Sequence, residues 1–134
     1  SRRQRQMCIR DSSQRYACIC SPKFSNPIQA KNYISEMDIF IGSRMHATIG
    51  AFSSDVATIP VSYSRKFEGL YNSLGYKYLI NATTMNTDKA ITTTLEYIDK
   101  YVDLKRVQVL SMQNVNAKFG SFIQKCQELI YPSI

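Results

Sequence analysis

The sequence has no long apolar run and few of the residues that bind metals. No uncharged apolar stretch approaches the roughly 20 residues that a membrane-spanning helix needs, so an integral membrane protein is not expected. The chain contains a single histidine and no cluster of acidic residues, so we predict no metal site. The basic residues at its start are followed by no apolar segment, and we therefore expect no secretory signal there.

The composition is that of one globular domain. The chain has 134 residues, of which 44% are hydrophobic and 20% charged. This is enough to build one hydrophobic core and argues against wholesale disorder. Lysine and arginine number 17 against 10 acidic residues, a formal net charge of +7. That excess raises the question of a nucleic-acid partner.

Residues 1–12 differ from the rest of the chain. They hold four arginines and one aspartate and show neither helical nor strand periodicity. One interpretation is a basic disordered arm that binds phosphates. The other, which we favour, is a translated scar, because the run from Met7 to Ser12 resembles a transposase adapter used in sequencing libraries and read in frame. The native domain is then predicted to begin at Ser13 and to be a fragment.

Removing residues 1–12 changes the charge and the cysteine count. Thirteen basic and nine acidic residues remain, a net charge of +4. The remaining cysteines are Cys18, Cys20 and Cys126. We predict that they are buried reduced thiols of a cytosolic protein, rather than disulfide partners or metal ligands.

From residue 13 onward, short apolar runs alternate with segments of helical periodicity. Strands are predicted at residues 16–20, 38–42, 57–63 and 76–80, and helices at residues 27–37, 44–53, 65–73, from 88 and 105–131. The run at 38–42 suits a central parallel position, whereas Pro60 suggests an edge or a bulge at 57–63. Thr87 is the predicted cap of the fourth helix. This alternation predicts a doubly wound α/β fold, a Rossmann-like parallel sheet with flanking helices.

Two of the predicted helices carry apolar stripes. The fourth carries Ile91, Leu95 and Ile98. The last one repeats apolar residues at spacings of three and four, at Val115, Phe119, Phe122, Cys126 and Leu129. This long amphipathic helix is expected to pack on the sheet or on a domain outside this sequence, in preference to binding a partner protein.

Two strand ends are candidates for an anion site. Ligands of parallel sheets bind beyond the carboxyl ends of the strands, where helix N-termini favour anions. Ser43, Arg44 and His46 follow the strand at 38–42. Arg44 offers a planar fork for phosphate or carboxylate, and His46 is suited to proton transfer. Arg65 and Lys66 follow the next strand. On the residues alone, a structural histidine and solvated surface charges remain an alternative.

The segment around these residues resembles the polysaccharide pyruvyl transferase family. The run is MDIFIGSRMHATIGAFSSDVATIPVSYSRKFEGL, and the family pattern is an Asp, an apolar strand, Gly-x-Arg-x-His-Ala, and then a strand leading through Pro to Tyr and Lys. The matching positions are Asp38, Gly42, Arg44, His46, Ala47, Pro60, Tyr63 and Lys66. Ala57 departs from the pattern where the family often has a second proline.

The resemblance implies the C-terminal half of a two-domain fold like that of the GT-B glycosyltransferases, with the active site between the domains. Family members transfer an enolpyruvyl-derived group from phosphoenolpyruvate, a co-substrate rather than a cofactor, to sugar hydroxyls. The product is a ketal on a cell-surface polysaccharide or its lipid-linked precursor, which implies a role in exopolysaccharide and cell-envelope synthesis. A cytoplasmic location is implied, with peripheral attachment to the inner membrane face as an option.

The resemblance also assigns roles to residues. Arg44, His46 and Lys66 match positions associated with phosphoenolpyruvate binding or catalysis, and Ser43 and Arg65 are further candidates for binding. His46 is the expected general acid. No base for the sugar hydroxyl is identifiable, and we expect it in the absent N-terminal half. The isolated chain is therefore predicted to be inactive.

Two other functions are alternatives to pyruvyl transfer. A GT-B glycosyltransferase that uses a nucleotide-sugar donor shares the architecture and also binds phosphates at these helix ends. A basic nucleic-acid-binding module is less favoured, because the charge outside residues 1–12 is scattered and no basic and aromatic platform is present.

Overall fold

The computed structural model describes residue 19 and residues 21–131. The chain divides into two units, residues 1–30 and 31–134. The adapter-like segment, Cys18, Cys20 and most of the predicted strand at 16–20 lie outside the described residues. Ile19, the one described residue of that strand, is exposed and lies in no strand.

Helices and short strands alternate along the described residues. In chain order they are α1 Pro27–Ser35, β1 Ile39–Gly42, α2 Met45–Ser53, β2 Ala57–Ser62, α3 Arg65–Ser73, β3 Ile80–Asn81, α4 Thr87–Asp99 and α5 Tyr101–Ile130. The strands form a three-stranded parallel sheet in the order β1-β2-β3. The predicted α/β class, with a parallel sheet, flanking helices and a long last helix, is confirmed.

Among the described residues, β2 is the strand with a partner on each side, and β1 pairs with β2 alone. The predicted strand at 16–20 lies outside these residues, so the central position of the run at 38–42 stays a prediction. Along β2, Ala57 to Pro60 pair with β1, while β3 pairs only with Val61 and Ser62. Pro60 was expected to mark an edge or a bulge. It is tolerated in the middle strand because residues two apart direct their main-chain groups to the same side. Its nitrogen thus points, like that of Thr58, to the side where β3 has not yet begun.

A side chain occupies the place that β3 leaves empty. Gln108 of α5 is fully buried. Its Oε1 accepts a hydrogen bond from the Thr58 N–H at 3.1 Å, and its Nε2 donates to the carbonyls of Phe52 and Val56 at 3.1 and 2.7 Å. The amide therefore satisfies the Thr58 N–H, which has no strand partner on that side, and ties α5 to the end of α2 and to the residue before β2.

The predicted strand at 76–80 is shorter in the structure, where only Ile80 and Asn81 pair with β2. Tyr76 donates its hydroxyl to the carbonyl of Thr58, and Tyr78 donates to the Asp103 carboxylate. Both rings are buried. These side-chain contacts hold the segment against β2 and α5 in place of a regular ladder.

The core is rich in aromatic rings. Phe52 meets Tyr76 edge to face, with ring centroids 4.9 Å apart, and meets Tyr71 at 5.5 Å. Ile59 and Leu104 complete the same buried cluster. Because edge-to-face contacts align the positive rim of one ring with the negative face of another, they add to the apolar burial.

The cap of α4 differs from prediction. The helix is capped by Asn86, whose Oδ1 accepts from the N–H of Lys89 at 2.8 Å, and not by Thr87. Asparagine is among the strongest capping residues because its short side chain reaches the third helical N–H. Of the apolar residues of this helix, Ile91 and Leu95 are more than half exposed, and Ile98 is half-buried.

The last helix is buried along only part of its length. Leu104, Gln108 and Ser111 are buried, whereas Phe119, Phe122 and Leu129 of the predicted stripe are 61–83% exposed. Cys126 is a free thiol, as predicted, but it is half-exposed rather than buried. These residues of the stripe therefore do not pack on the sheet, and their packing on a domain outside this sequence stays a prediction. No helix among the described residues has the length and apolarity to cross a membrane.

Candidate functional site

The first candidate segment begins where β1 ends. Gly42 is the last residue of β1, and the half-buried Ser43 follows it. A side chain at position 42 would be crowded, because a Cβ atom there would lie 2.4 Å from Cε1 of Phe40. Glycine thus lets the Phe40 ring lie against the strand end, from which the chain turns into α2.

Helix α2 begins with unpaired main-chain donors. Arg44 is its N-cap, with extended backbone and no capping hydrogen bond from its side chain. Arginine has no acceptor atom with which to cap the helix. The first N–H groups of α2, among them that of His46, therefore remain available, and they attract anions together with the helix dipole. The side chains of Arg44 and His46 are exposed at this point.

The second candidate segment begins where β2 ends. Ser64 caps α3, because its Oγ accepts from the N–H of Phe67 at 3.2 Å. Ser62 donates its hydroxyl to the carbonyl of Ser64 at 3.0 Å, which fixes the turn. Arg65 and Lys66 are the first two residues of α3, and both are exposed.

The sheet brings the two segments to one edge. Strands β1 and β2 are parallel neighbours, with Gly42 opposite Pro60. Adjacent strands lie about 4.8 Å apart, so α2 and α3 begin side by side. Arg44 and His46 at one helix start and Arg65 and Lys66 at the other consequently share the carboxyl edge of the sheet.

The cations at this edge form no ion pair with any described carboxylate. The ion pairs of the described residues lie elsewhere: Lys77 and Arg106 pair with Asp103, and Lys105 pairs with Asp55. No hydrogen bond or ion pair joins Arg44, His46 and Lys66 to one another. The arrangement can receive a small anion between two helix starts, with two kinds of cationic side chain beside it.

A buried layer that sequence reasoning missed supports the start of α2. Thr48 is fully buried and donates its hydroxyl to the carbonyl of Arg44. The Tyr71 hydroxyl lies buried without a hydrogen-bond partner among the described residues. Burial raises the pKa of Tyr71 to about 12, although the neighbouring Thr48 lowers this pKa by a smaller amount. Threonine in a first helical turn and a tyrosine facing inward carry no distinctive sequence signal.

A third strand end lies beside a carboxylate of α3 at the same edge. Asn81, the last residue of β3, lies opposite Ser62 in the register. Its Nδ2 donates to Oε2 of Glu68 in α3 at 3.1 Å. Asn81, Ala82 and Thr83 form a formal glycosylation sequon, which does not point to this contact. The pairing with Glu68 depends on tertiary structure, since thirteen residues separate the two.

An apolar groove of about 370 Å³ lies beside β3 and the start of α4. Its walls include Val61, Ile80, Ala82, Met85 and Ile91. None of Ser43, Arg44, His46, Arg65 and Lys66 lines it. The predicted anion site thus lies on the exposed surface and is not part of this groove.

Metal binding finds no support within residues 21–131 and Ile19. No three His, Cys, Asp or Glu side chains among them come together in a set that could hold a metal ion. His46, the single histidine of the chain, belongs to no such set among the described residues.

Comparison with known proteins identifies one family. The family model for polysaccharide pyruvyl transferase matches residues 2–65, a span that contains Ser43, Arg44, His46 and Arg65 and ends one residue before Lys66. It also includes most of residues 1–12, whose adapter origin stays a prediction. The match supports the resemblance of the sequence to this family. The description of that family is of a transferase that acts on a polysaccharide. No match was found among curated proteins or among solved structures.

Proposed function

We propose that the chain is the C-terminal, phosphoenolpyruvate-binding part of a polysaccharide pyruvyl transferase. The enzyme forms a pyruvate ketal on sugar hydroxyls of a polysaccharide or its precursor, in the cytoplasm. The observation that carries the proposal is the meeting of two helix starts at one sheet edge, with Arg44, His46 and Lys66 beside them. The family match agrees with it.

The charges of the proposed ligand fit this edge. Phosphoenolpyruvate carries a phosphate and a carboxylate. The uncapped N–H groups of α2 and the guanidinium of Arg44 can bind one of these groups, and Lys66 can bind the other. Arg65 and Ser43 add donors at the margins of the site. Together they offset the repulsion between the two anionic groups of one small molecule.

Ketal formation requires acid catalysis at the enol. Protonation of the methylene carbon makes the adjacent carbon oxocarbenium-like, a sugar oxygen bonds to that carbon, and phosphate leaves. His46 is the group suited to deliver the proton, to the carbon or to the departing phosphate. The remainder of the cleft comes from the N-terminal half of the two-domain enzyme, so the isolated chain binds the donor without turning it over.

Binding can be tested on this chain directly. His46 is its only histidine, so the imidazole gives one set of NMR signals. We expect phosphoenolpyruvate to shift these signals, and Arg44→Ala or Lys66→Ala to weaken the effect. The matched control is Lys89→Ala, because Lys89 is an exposed lysine in the first turn of α4. A shift caused by a nucleotide sugar and not by phosphoenolpyruvate would favour the glycosyltransferase alternative.

Catalysis is tested in a full-length homologue that contains this segment. His46→Ala is expected to lower kcat for pyruvylation of a sugar acceptor by about 10²–10⁴-fold, the usual contribution of a general acid. Unchanged turnover in this variant would overturn the role of His46. Ketal formation by the isolated 134-residue chain would contradict the proposal that half of the cleft lies outside it.

A further inference from the structure

Glu68 is a carboxylate at the candidate edge to which the donor-binding scheme gives no task. It lies in the first turn of α3, two residues after Lys66, and is half-buried. Its main-chain N–H bonds to the carbonyl of Ser64 at 3.1 Å, so the helix fixes its position. Its Oε2 accepts from Nδ2 of Asn81 at 3.1 Å.

The Asn81 amide is itself held in one orientation. Its Oδ1 accepts from the N–H of Thr83 at 3.1 Å and from the Thr83 hydroxyl at 2.6 Å. With two donors on the oxygen, the NH₂ group is turned to Glu68. The main chain around Asn81 is also tied to β2, because the N–H of Ala82 donates to the carbonyl of Ser62 at 2.7 Å.

Only a neutral group holds the Glu68 carboxylate. Asp103 and Asp55 form ion pairs with lysine or arginine, whereas Glu68 forms none with any described residue. The amide fixes the direction of Oε2, and Oε1 has no hydrogen-bond donor among the described residues.

Glu68 lies at the same end of the sheet as the proposed donor site. Lys66 begins the same helix two residues earlier, and Asn81 ends β3 opposite Ser62, the last residue of β2. Ile80 and Ala82, the two neighbours of Asn81, line the apolar groove, so alternation along the strand directs Asn81 to the other side. A saccharide would therefore reach the Asn81–Glu68 pair from the carboxyl edge of the sheet and not from the groove.

We infer that Glu68 is the base that takes the proton of the acceptor hydroxyl, with Asn81 as its positioning residue. The inference rests on the proposed function and supplies the base that sequence analysis expected in the N-terminal half. The acceptor is a saccharide carrying two hydroxyls that can close a ring on one carbon.

The proton balance of the reaction leaves this role open. Two hydroxyl oxygens bond to the central carbon of the enolpyruvyl group, and its bond to the phosphate oxygen breaks. The two hydroxyls lose two protons in total. One of them balances the proton that converts the methylene carbon to methyl, and the other leaves with the phosphate. Glu68 takes a proton as an acceptor oxygen bonds to carbon and returns it as phosphate departs, so the carboxylate is regenerated.

The test compares variants of a full-length homologue that contains this segment. Glu68→Gln is expected to lower kcat by about 10²-fold or more, with little change in KM for phosphoenolpyruvate. Glu96→Gln is the matched control, since Glu96 is exposed on α4 and should leave kcat unchanged. Asn81→Ala should lower kcat less than Glu68→Gln does, because the carboxylate is still present.

Chemical rescue separates catalysis from structure. In Glu68→Ala, added formate is expected to restore part of kcat, because a small carboxylate can occupy the vacated space and take the proton. A structural role would not respond to formate. Near-wild-type kcat in Glu68→Gln, or no rescue of a folded Glu68→Ala enzyme, would overturn the inference while donor binding at His46 still supports the proposed function. Absence of donor binding in the wild type would overturn both.

Discussion

Gln108 makes three hydrogen bonds to main-chain atoms at least fifty residues away in the sequence. They join α5 to the edge of β2 that carries Thr58 and to the end of α2. The amide supplies one acceptor and two donors, and the buried site uses all of them. At the scale of the residue, this one side chain therefore connects a helix to a strand and to the end of a second helix.

We predict that Gln108→Leu lowers the free energy of unfolding by roughly 1–3 kcal/mol, because the Thr58 N–H would be buried without a partner and the carbonyls of Phe52 and Val56 would each lose one donor. Urea denaturation of this chain provides the measurement. The control is Gln113→Leu on an exposed part of the same helix, which should change stability by no more than about 0.5 kcal/mol. Equal effects of the two substitutions would refute the role of Gln108.

Asp103 links the segment before β3 to α5. The hydrogen bond from Tyr78, followed by that from Arg106, lowers the pKa of Asp103 to about 2 from its ordinary value of 3.8. A folded-state pKa below the unfolded value means that the contribution to stability is complete above about pH 4. It is lost as the pH falls through the folded-state value.

We therefore expect thermal stability to fall between pH 4 and pH 2, and to fall less steeply in Asp103→Asn. Melting temperatures measured across this range test the expectation. Asp99→Asn is the control, because Asp99 is exposed and has no described ion pair; it should follow the wild type. Parallel curves for Asp103→Asn and the wild type would show that the carboxylate has no such role.

At the scale of the element, the sequence predicts the bounds of a helix correctly where the residues that flank it in the chain define its start and its end. Helix α3 runs from Arg65 to Ser73 as predicted, because Ser64 caps its start and Gly75, with φ of +69°, turns the chain after its end. The start of β3 and the position of β2 between β1 and β3 depend on Tyr76, Tyr78 and Gln108 contacting distant residues. Such contacts leave no periodic trace in a sequence.

The candidate site also has a part that the sequence predicts and a part that it does not predict. The positions of Arg44, His46 and Lys66 at helix starts followed from the strand–helix alternation, and the parallel sheet places them at one edge. Their roles stay predictions. The pairing of Glu68 with Asn81 was not predictable, since it arises from the register between β2 and β3.

The second half of α5 should tolerate polar substitution in this chain. Phe119 and Phe122 are about 60% exposed, so replacing both with Gln is expected to change the free energy of unfolding by less than about 1 kcal/mol. Leu104→Ala, in the buried half, should cost about 2–5 kcal/mol. Denaturant titration compares them. A loss from the double substitution as large as that from Leu104→Ala would place the stripe in a packed interface.

At the scale of the whole molecule, the net charge separates two kinds of partner. Residues 1–12 carry +3 of the total of +7, and the remaining +4 includes Arg44, Arg65 and Lys66. A few cations at one edge suit a small anion. A nucleic-acid backbone calls for many contacts and gives steep salt dependence.

Deleting residues 1–12 is therefore expected to abolish any salt-dependent binding of nucleic acid, while the phosphoenolpyruvate-induced shift of the His46 NMR signals persists. Fluorescence anisotropy with a labelled oligonucleotide at several salt concentrations measures the first effect, and the NMR titration measures the second. Nucleic-acid affinity that survives the deletion would favour the basic-module alternative.

The partial burial of α5 has a consequence for local unfolding. Its first three turns are tied to the sheet through Leu104, Gln108 and Ser111, whereas residues 113–130 extend about 27 Å further with most side chains exposed. A single continuous helix thus contains two stability regimes. Amide hydrogens of the first part exchange only when the core opens, and those of the second exchange by fraying from the helix end.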